Sequence, residues 1–261
     1  VVIDYFKAKS NLFVYTEKAD KLIQWLRSRN YLLALLHDIQ LNLPGGRDPK
    51  NPPKTVIRGV LTRWTSYYIA YRRIHELKPA LEFLARDSRL FECGSEDSHR
   101  KTREMLPIIN DGLFWHSLTR VKLHLEPLAI AAHLTQVENC RLDDVVIMFG
   151  FLYQSFSAFV DPEDAAVRTA VLNSLETRWN KADQDVCLAA VLLNPYRKKA
   201  PFRKHMSDLL SYSAVDQLLT RLWDRFYPNE AGAGPDYNTI EHYFKGTGPF
   251  DGLAQTAKRI A

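Results

Sequence analysis

Apolar residues recur at three- and four-residue spacing through most of this chain, and no convincing set of alternating segments competes with them. That spacing collects side chains on one face of a helix, whereas a half-buried strand needs a period of two. The pattern predicts helices over Leu113–Thr135, Leu142–Phe159, Ala165–Trp179 and Asp185–Leu193, with another near Val215–Phe226. Upstream, Val1 to Arg29 carries Val2, Tyr5, Phe6, Leu22, Ile23 and Leu26 at helical spacing, and Asn30 is placed to stop it. Tyr31 to Leu36 opens a second helix that is apolar nearly all round, as buried helices are. A long helical pattern then starts at Leu61 and passes Trp64, Tyr67, Tyr71 and Ile74. Pro79 should kink or restart it, because proline lacks the amide hydrogen and crowds the preceding turn. Asp161-Pro162-Glu163-Asp164 reads as a helix start, with proline and acids in the first turn. The fold class is all-α.

Proline and glycine punctuate this pattern. Residues 44–55 contain four prolines and two glycines, which makes them a loop. Four segments follow: 1–43, helical; 44–60, a basic loop in which Val56-Ile57-Arg58 is extended; 61–230, a large helical domain; and 231–261, a flexible linker and the start of a C-terminal region. The linker opens with Ala231-Gly232-Ala233-Gly234-Pro235 and carries a short amphipathic piece at Ile240–Phe244. The first residues have no signal-peptide character and the last stub has no helix terminator, so the chain reads as entered in mid-domain and continuing past Ala261.

A chain of 261 residues that is 46% hydrophobic can bury a core of one large or two modest domains. No apolar run approaches eighteen residues, so no membrane span is expected. Three widely spaced cysteines, Cys93, Cys140 and Cys187, argue against a disulfide framework and for a reducing compartment. The net charge is only +5, but it is concentrated. Arg47, Lys50, Lys54, Arg58, Arg63, Arg72, Arg73 and Lys78 face only Asp48 and Glu76, a local balance of +6. Arg197, Lys198, Lys199, Arg203 and Lys204 form a second cluster, with no acid among residues 196–205. Two readings are open for these clusters, a polyanion partner or a pair of solvated faces.

No phosphate-cradling glycine loop and no zinc-type cysteine or histidine spacing is present. Asp143 and Asp144 are helix neighbours that point apart, which suits a helix N-terminus better than a metal pair. No catalytic site is readable, and no cofactor is expected in this chain. What stands out is Arg58 to Lys78, where basic residues alternate with Trp64, Tyr67, Tyr68 and Tyr71 after a basic loop. Aromatic faces stack on bases that have left a duplex while cations hold the backbone. Tyrosines at helical spacing also suit a core, and Trp64, at the first turn between Arg63 and Thr65, is the better candidate for a ligand.

Thr62-Arg63-Trp64-Thr65-Ser66-x-Tyr68 resembles a motif of hAT-superfamily DNA transposases, and other stretches follow in the family's order. They are Glu76-Leu77-Lys78-Pro79-Ala80-Leu81, Leu125-Glu126-Pro127-Leu128-Ala129 with Val145-x-x-x-Phe149-Gly150-x-Leu152, and Arg178-Trp179 through Leu188 to Pro195. The resemblance implies the helical insertion domain of an RNase H-like transposase, with only fragments of the RNase H-like core. It implies a divalent metal, Mg or Mn, held in the full-length enzyme by three acids that lie outside this chain; Asp4 and Glu241 are not substitutes. The chain alone is therefore not expected to be catalytic.

Carried over by position, the family's flipped-base role falls on Trp64, with Arg63 beside it. The expected DNA contacts are Lys54, Arg58, Arg63, Trp64, Tyr67, Tyr68, Arg72 and Arg73, with Arg197, Lys198 and Lys199. The implied partner is transposon-end DNA with a hairpin or distorted duplex. The implied location is the nucleus, with homo-oligomerisation through regions outside the chain. A domesticated, non-catalytic interaction module and a plain helical scaffold are the alternatives.

Overall fold

The computed structural model describes residues 1–60, 64–92, 94–202, 210–230, 234 and 236–253. Every regular element among them is helical. The chain divides into two compact units, one of Val1–Ile130 with Ser155–Val171, the other of Ala131–Gln154 with Leu172–Ala261. The long helices α7 (Gly112–Thr135), α8 (Leu142–Ser157) and α9 (Ala165–Lys181) supply residues to both.

The first unit starts with two helices where the periodicity suggests one, α1 (Val2–Lys7) and α2 (Phe13–Arg27). The chain turns between them, and the Ser10 hydroxyl accepts from the Leu12 amide at 3.3 Å. Asn30 does not stop a helix but begins one, α3 (Asn30–Asn42). The break falls earlier, where Ser28 bonds back to the Trp25 carbonyl and Arg29 is extended at φ −143° and ψ 131°. Then come α4 (Thr65–Glu76), α5 (Lys78–Leu84) and α6 (Glu96–Ile109). Leu61 to Arg63, where the sequence starts α4, lie outside the described residues. Pro79 restarts the helix as expected, in the first turn of α5 where its missing donor costs nothing. Helix α2 packs on α3, α4 and α6, and α5 packs on α3, α4 and α6. Leu22, Leu26, Leu32, Leu36, Ile74 and Leu81 are wholly enclosed. Each such burial contributes roughly 1.5–3 kcal/mol.

The second unit contains α10 (Gln184–Leu192), α11 (Tyr212–Phe226) and α12 (Tyr237–Lys245). Leu192, Leu210, Val215 and Ile240 form one apolar cluster; Ala189, Leu218 and Leu222 form another. Ser211 caps α11 and Asp236 caps α12, each accepting from an amide three residues on. Gly246, at φ 66°, ends α12 in the left-handed conformation that glycine adopts without strain.

Candidate nucleic-acid interface

The loop before α4 is stitched down by side chains. Lys54 donates its amide to Gln40 Oε1 at 2.8 Å, and its carbonyl accepts from Gln40 Nε2 at 3.1 Å. Arg73 Nη1 donates to the Thr55 carbonyl at 2.8 Å, and Arg27 Nη1 to the Val56 carbonyl at 2.9 Å. Val56 is buried beneath them. A stretch with no ladder of its own thus has its backbone groups satisfied by α2, α3 and α4. The Ser66 hydroxyl grips the far end, accepting from the Val60 amide at 2.6 Å and facing the Val60 carbonyl at 3.2 Å. Gly59 lies flat against Tyr67, and a Cβ there would come within 2.7 Å of the ring.

The aromatic series divides between core and surface. Tyr71 is buried, and its hydroxyl bonds Asp20 and Thr16. Burial pushes its phenol well above the ordinary range, with the Asp20 charge adding to the shift. Tyr68 is buried too, and donates to Glu126 Oε1 at 3.0 Å while Arg72 lies 5.6 Å over its ring. Tyr68 and Tyr71 therefore belong to the core, which leaves Trp64 and the half-buried Tyr67. Trp64 sits at the start of α4 and lines a cleft of about 540 Å³ with Val1, Val2, Ile3, Phe6 and Lys7. One wall is an indole, the other an apolar helix face with a single lysine.

The basic residues are engaged to different degrees. Lys54, Arg72 and Arg73 converge on Glu76, at 3.2, 3.6 and 3.3 Å. Burial alone would raise the Glu76 carboxyl, but these three cations hold it below its usual range. Three positive charges on one carboxylate leave a net positive site at the loop's edge. Arg47, Lys50 and Arg58 stand exposed, with no salt bridge among the described residues. Arg63 lies outside the described residues.

Arg197, Lys198 and Lys199, expected to grip DNA, are turned inward to partners of their own unit. Arg197 pairs with Asp143 at 3.3 Å and with Asp144. Asp143 is almost fully enclosed and also takes bonds from Asn194 and Arg141. Burial would raise its carboxyl, but Asn194, Arg141 and Arg197 hold it below the ordinary range. Both acids do stand in the first turn of α8, as the sequence suggests. Asn194 and Asp143, 51 residues apart, share no local pattern that reveals the pairing.

The chain matches no family model, no curated protein and no solved structure. Among the described residues no group of three or more His, Cys, Asp or Glu side chains could hold the divalent ion that the resemblance implies. Among them, too, no helix is long and apolar enough to cross a membrane. Gln40, Arg27 and the α1 wall of the Trp64 cleft escaped the sequence reading, because each acts through contacts distant in the chain. Gly59 alone left a signal, as a glycine between an extended stretch and a helix.

Proposed function

We propose that this chain is the DNA-binding helical portion of an hAT-like cut-and-paste transposase, working in the nucleus on transposon-end DNA. It contacts that DNA through the loop of residues 44–60 and the start of α4, and Trp64 stacks on a flipped or hairpin-end base. The observation that supports this most is the division of the aromatic series. Tyr68 and Tyr71 are used up in the core, while Trp64 lines a cleft against α1. Exposed Arg47, Lys50 and Arg58 belong to the same unit and suit a phosphate backbone. Extruding a base costs a few kcal/mol, which an aromatic wall offsets.

The test is binding of the chain to a fluorescent duplex with a hairpin or flipped end, beside a plain duplex. The expected result is a preference for the distorted end. Trp64→Ala should reduce it by roughly 5- to 150-fold, the equivalent of about 1–3 kcal/mol of lost stacking. Equal affinity for both DNAs, unmoved by Trp64→Ala, would overturn the reading. One observation favours a second reading, a helical scaffold or domesticated module that leaves DNA alone. Lys54, Arg72, Arg73 and Arg197 all have carboxylate partners within the chain. On that reading binding is weak and indifferent to DNA shape.

A further inference from the structure

Lys198 and Lys199 are held in a way that sets them apart from the other basic residues of the interface. Arg197, beside them, is neutralised by carboxylates; these two lysines have none within salt-bridge distance among the described residues. Lys198 Nζ lies 4.7 Å over the Tyr243 ring and donates to the Tyr243 carbonyl at 2.7 Å. Lys199 Nζ lies 4.4 Å from the Tyr212 ring centroid and 4.6 Å from that of Phe244. Those two rings stack, 5.9 Å apart at 26°. Three rings and one carbonyl, most of them from α12, therefore hold two positive charges. Lys198 is also the one non-glycine residue described with a left-handed backbone, at φ 47°. The backbone accepts an unfavourable conformation where the ammonium reaches α12.

A ring face attracts a cation through its quadrupole but does not neutralise it. Both ammonium groups are half-buried, and burial pulls both below their ordinary pKa, as expected of cations that have lost water without gaining an anion. Such charges favour any phosphate that can replace the rings. Helix α12 is docked through Ile240 in the core and through the Tyr243 hydroxyl, which faces the Leu192 carbonyl at 3.3 Å. It is short, and its grip on the lysines involves no ion pair among the described residues.

We propose that Lys198 and Lys199 form a second polyanion-binding surface that α12 holds closed, its aromatic rings occupying the positions that phosphates take when the surface opens. This rests on the preceding reading only in taking DNA as the natural polyanion. The test is therefore made with inorganic polyphosphate, which carries no bases. Binding is measured across a salt series for the full chain, for Tyr243→Leu with Phe244→Leu, for Lys198→Gln with Lys199→Gln, and for all four substitutions together. Opening α12 should raise affinity about tenfold. It should also steepen the slope of log K against log salt by about 1.4, the contribution of two further cations on a single-stranded polyanion. The lysine substitutions should cost more than fivefold in the opened background and less than twofold in the closed one. The proposal fails if the opened variant binds no tighter, if its gain survives the lysine substitutions, or if those substitutions cost the same in both backgrounds.

Circular dichroism establishes that the opened variant folds. If it does not, the lysine pair decides in the closed chain. A latch requires Lys198→Gln with Lys199→Gln to lower the melting temperature. An unchanged melt with weakened polyphosphate binding means the lysines are already open, and the proposal is wrong. Loss of DNA binding with the polyphosphate pattern intact would remove the transposase reading and leave the latch standing.

Discussion

The least expected residue in the chain is Asp164. Its position after Asp161-Pro162 suggests an acid that decorates a helix start, yet it is completely enclosed. It accepts from Arg120 and lies 2.9 Å from His124 Nε2, with the His124 ring equally buried among Tyr5, Phe156 and Phe159. Arg120 also reaches Asp161. Removing one member of a buried charged group strands the others, at a cost of roughly 3–5 kcal/mol. Asp164→Ala should therefore lower the denaturation midpoint sharply, and a change within experimental error would show that the cluster is solvated. Burial holds His124 below its ordinary pKa, against the pull of Asp164. The unfolded chain takes up that proton near about pH 6.5 and the folded chain resists it. Stability contributed by this site is thus fully present above that pH and falls as the pH drops below it. His75 adds to the same slope, lowered by burial and by Lys122 and Lys78. His124→Gln should flatten the fall in urea midpoint between about pH 7 and pH 5 without abolishing it. An unchanged slope would assign the whole effect to other groups. None of this was legible beforehand, because Asp164 and His124 are 40 residues apart and each looks ordinary in its own window.

Among the elements, helix boundaries were the most legible part of the fold. From Gly112 to Leu192 the observed helices end within two residues of the periodic pattern, since each one buries a stripe that the sequence displays. Residues 44 to 60 were legible only as a loop with an extended stretch, because their order comes from side chains of other helices. Gln40 is the clearest case, a half-buried amide that bonds the backbone of Lys54 in both directions. Gln40→Ala leaves a backbone donor and acceptor without their partner and should cost about 1–3 kcal/mol. It should also speed hydrogen exchange at the Lys54 amide while leaving the amides of α10 and α11 unaffected. Unaltered exchange at Lys54 would mean that the loop is held elsewhere. The motif containing Trp64 looks different once its neighbours are known. Ser66 fastens the loop to α4, and Tyr68 joins α4 to Glu126 of α7. Ser66 and Tyr68 of the motif are therefore scaffolding, and the stacking proposed above rests on the indole of Trp64 alone.

For the molecule as a whole, the absence of strands among the described residues agrees with the all-α reading; the sequence leaves one large or two modest domains open, but does not show where the division into two units falls. It depends on contacts between residues far apart, which no local period records. Each unit is assembled from two stretches of chain. The first unit lacks Phe156, Asp164, Val167 and Val171 until residues 155–171 return, and all four are enclosed. A fragment of residues 1–130 should therefore show helical far-ultraviolet dichroism but no cooperative thermal transition. A sharp, reversible melt of that fragment would mean that the returning stretch is dispensable. The same arrangement bears on how the chain is made. At about 5–20 residues per second, a ribosome spends several seconds between Ile130 and Val171. For most of that interval, until Asp164 is added, His124 and Arg120 have been synthesised but their shared carboxylate has not. The nascent chain carries an unclosed apolar surface with two unpaired bases at its centre, a species that chaperones bind and that aggregates when they are scarce.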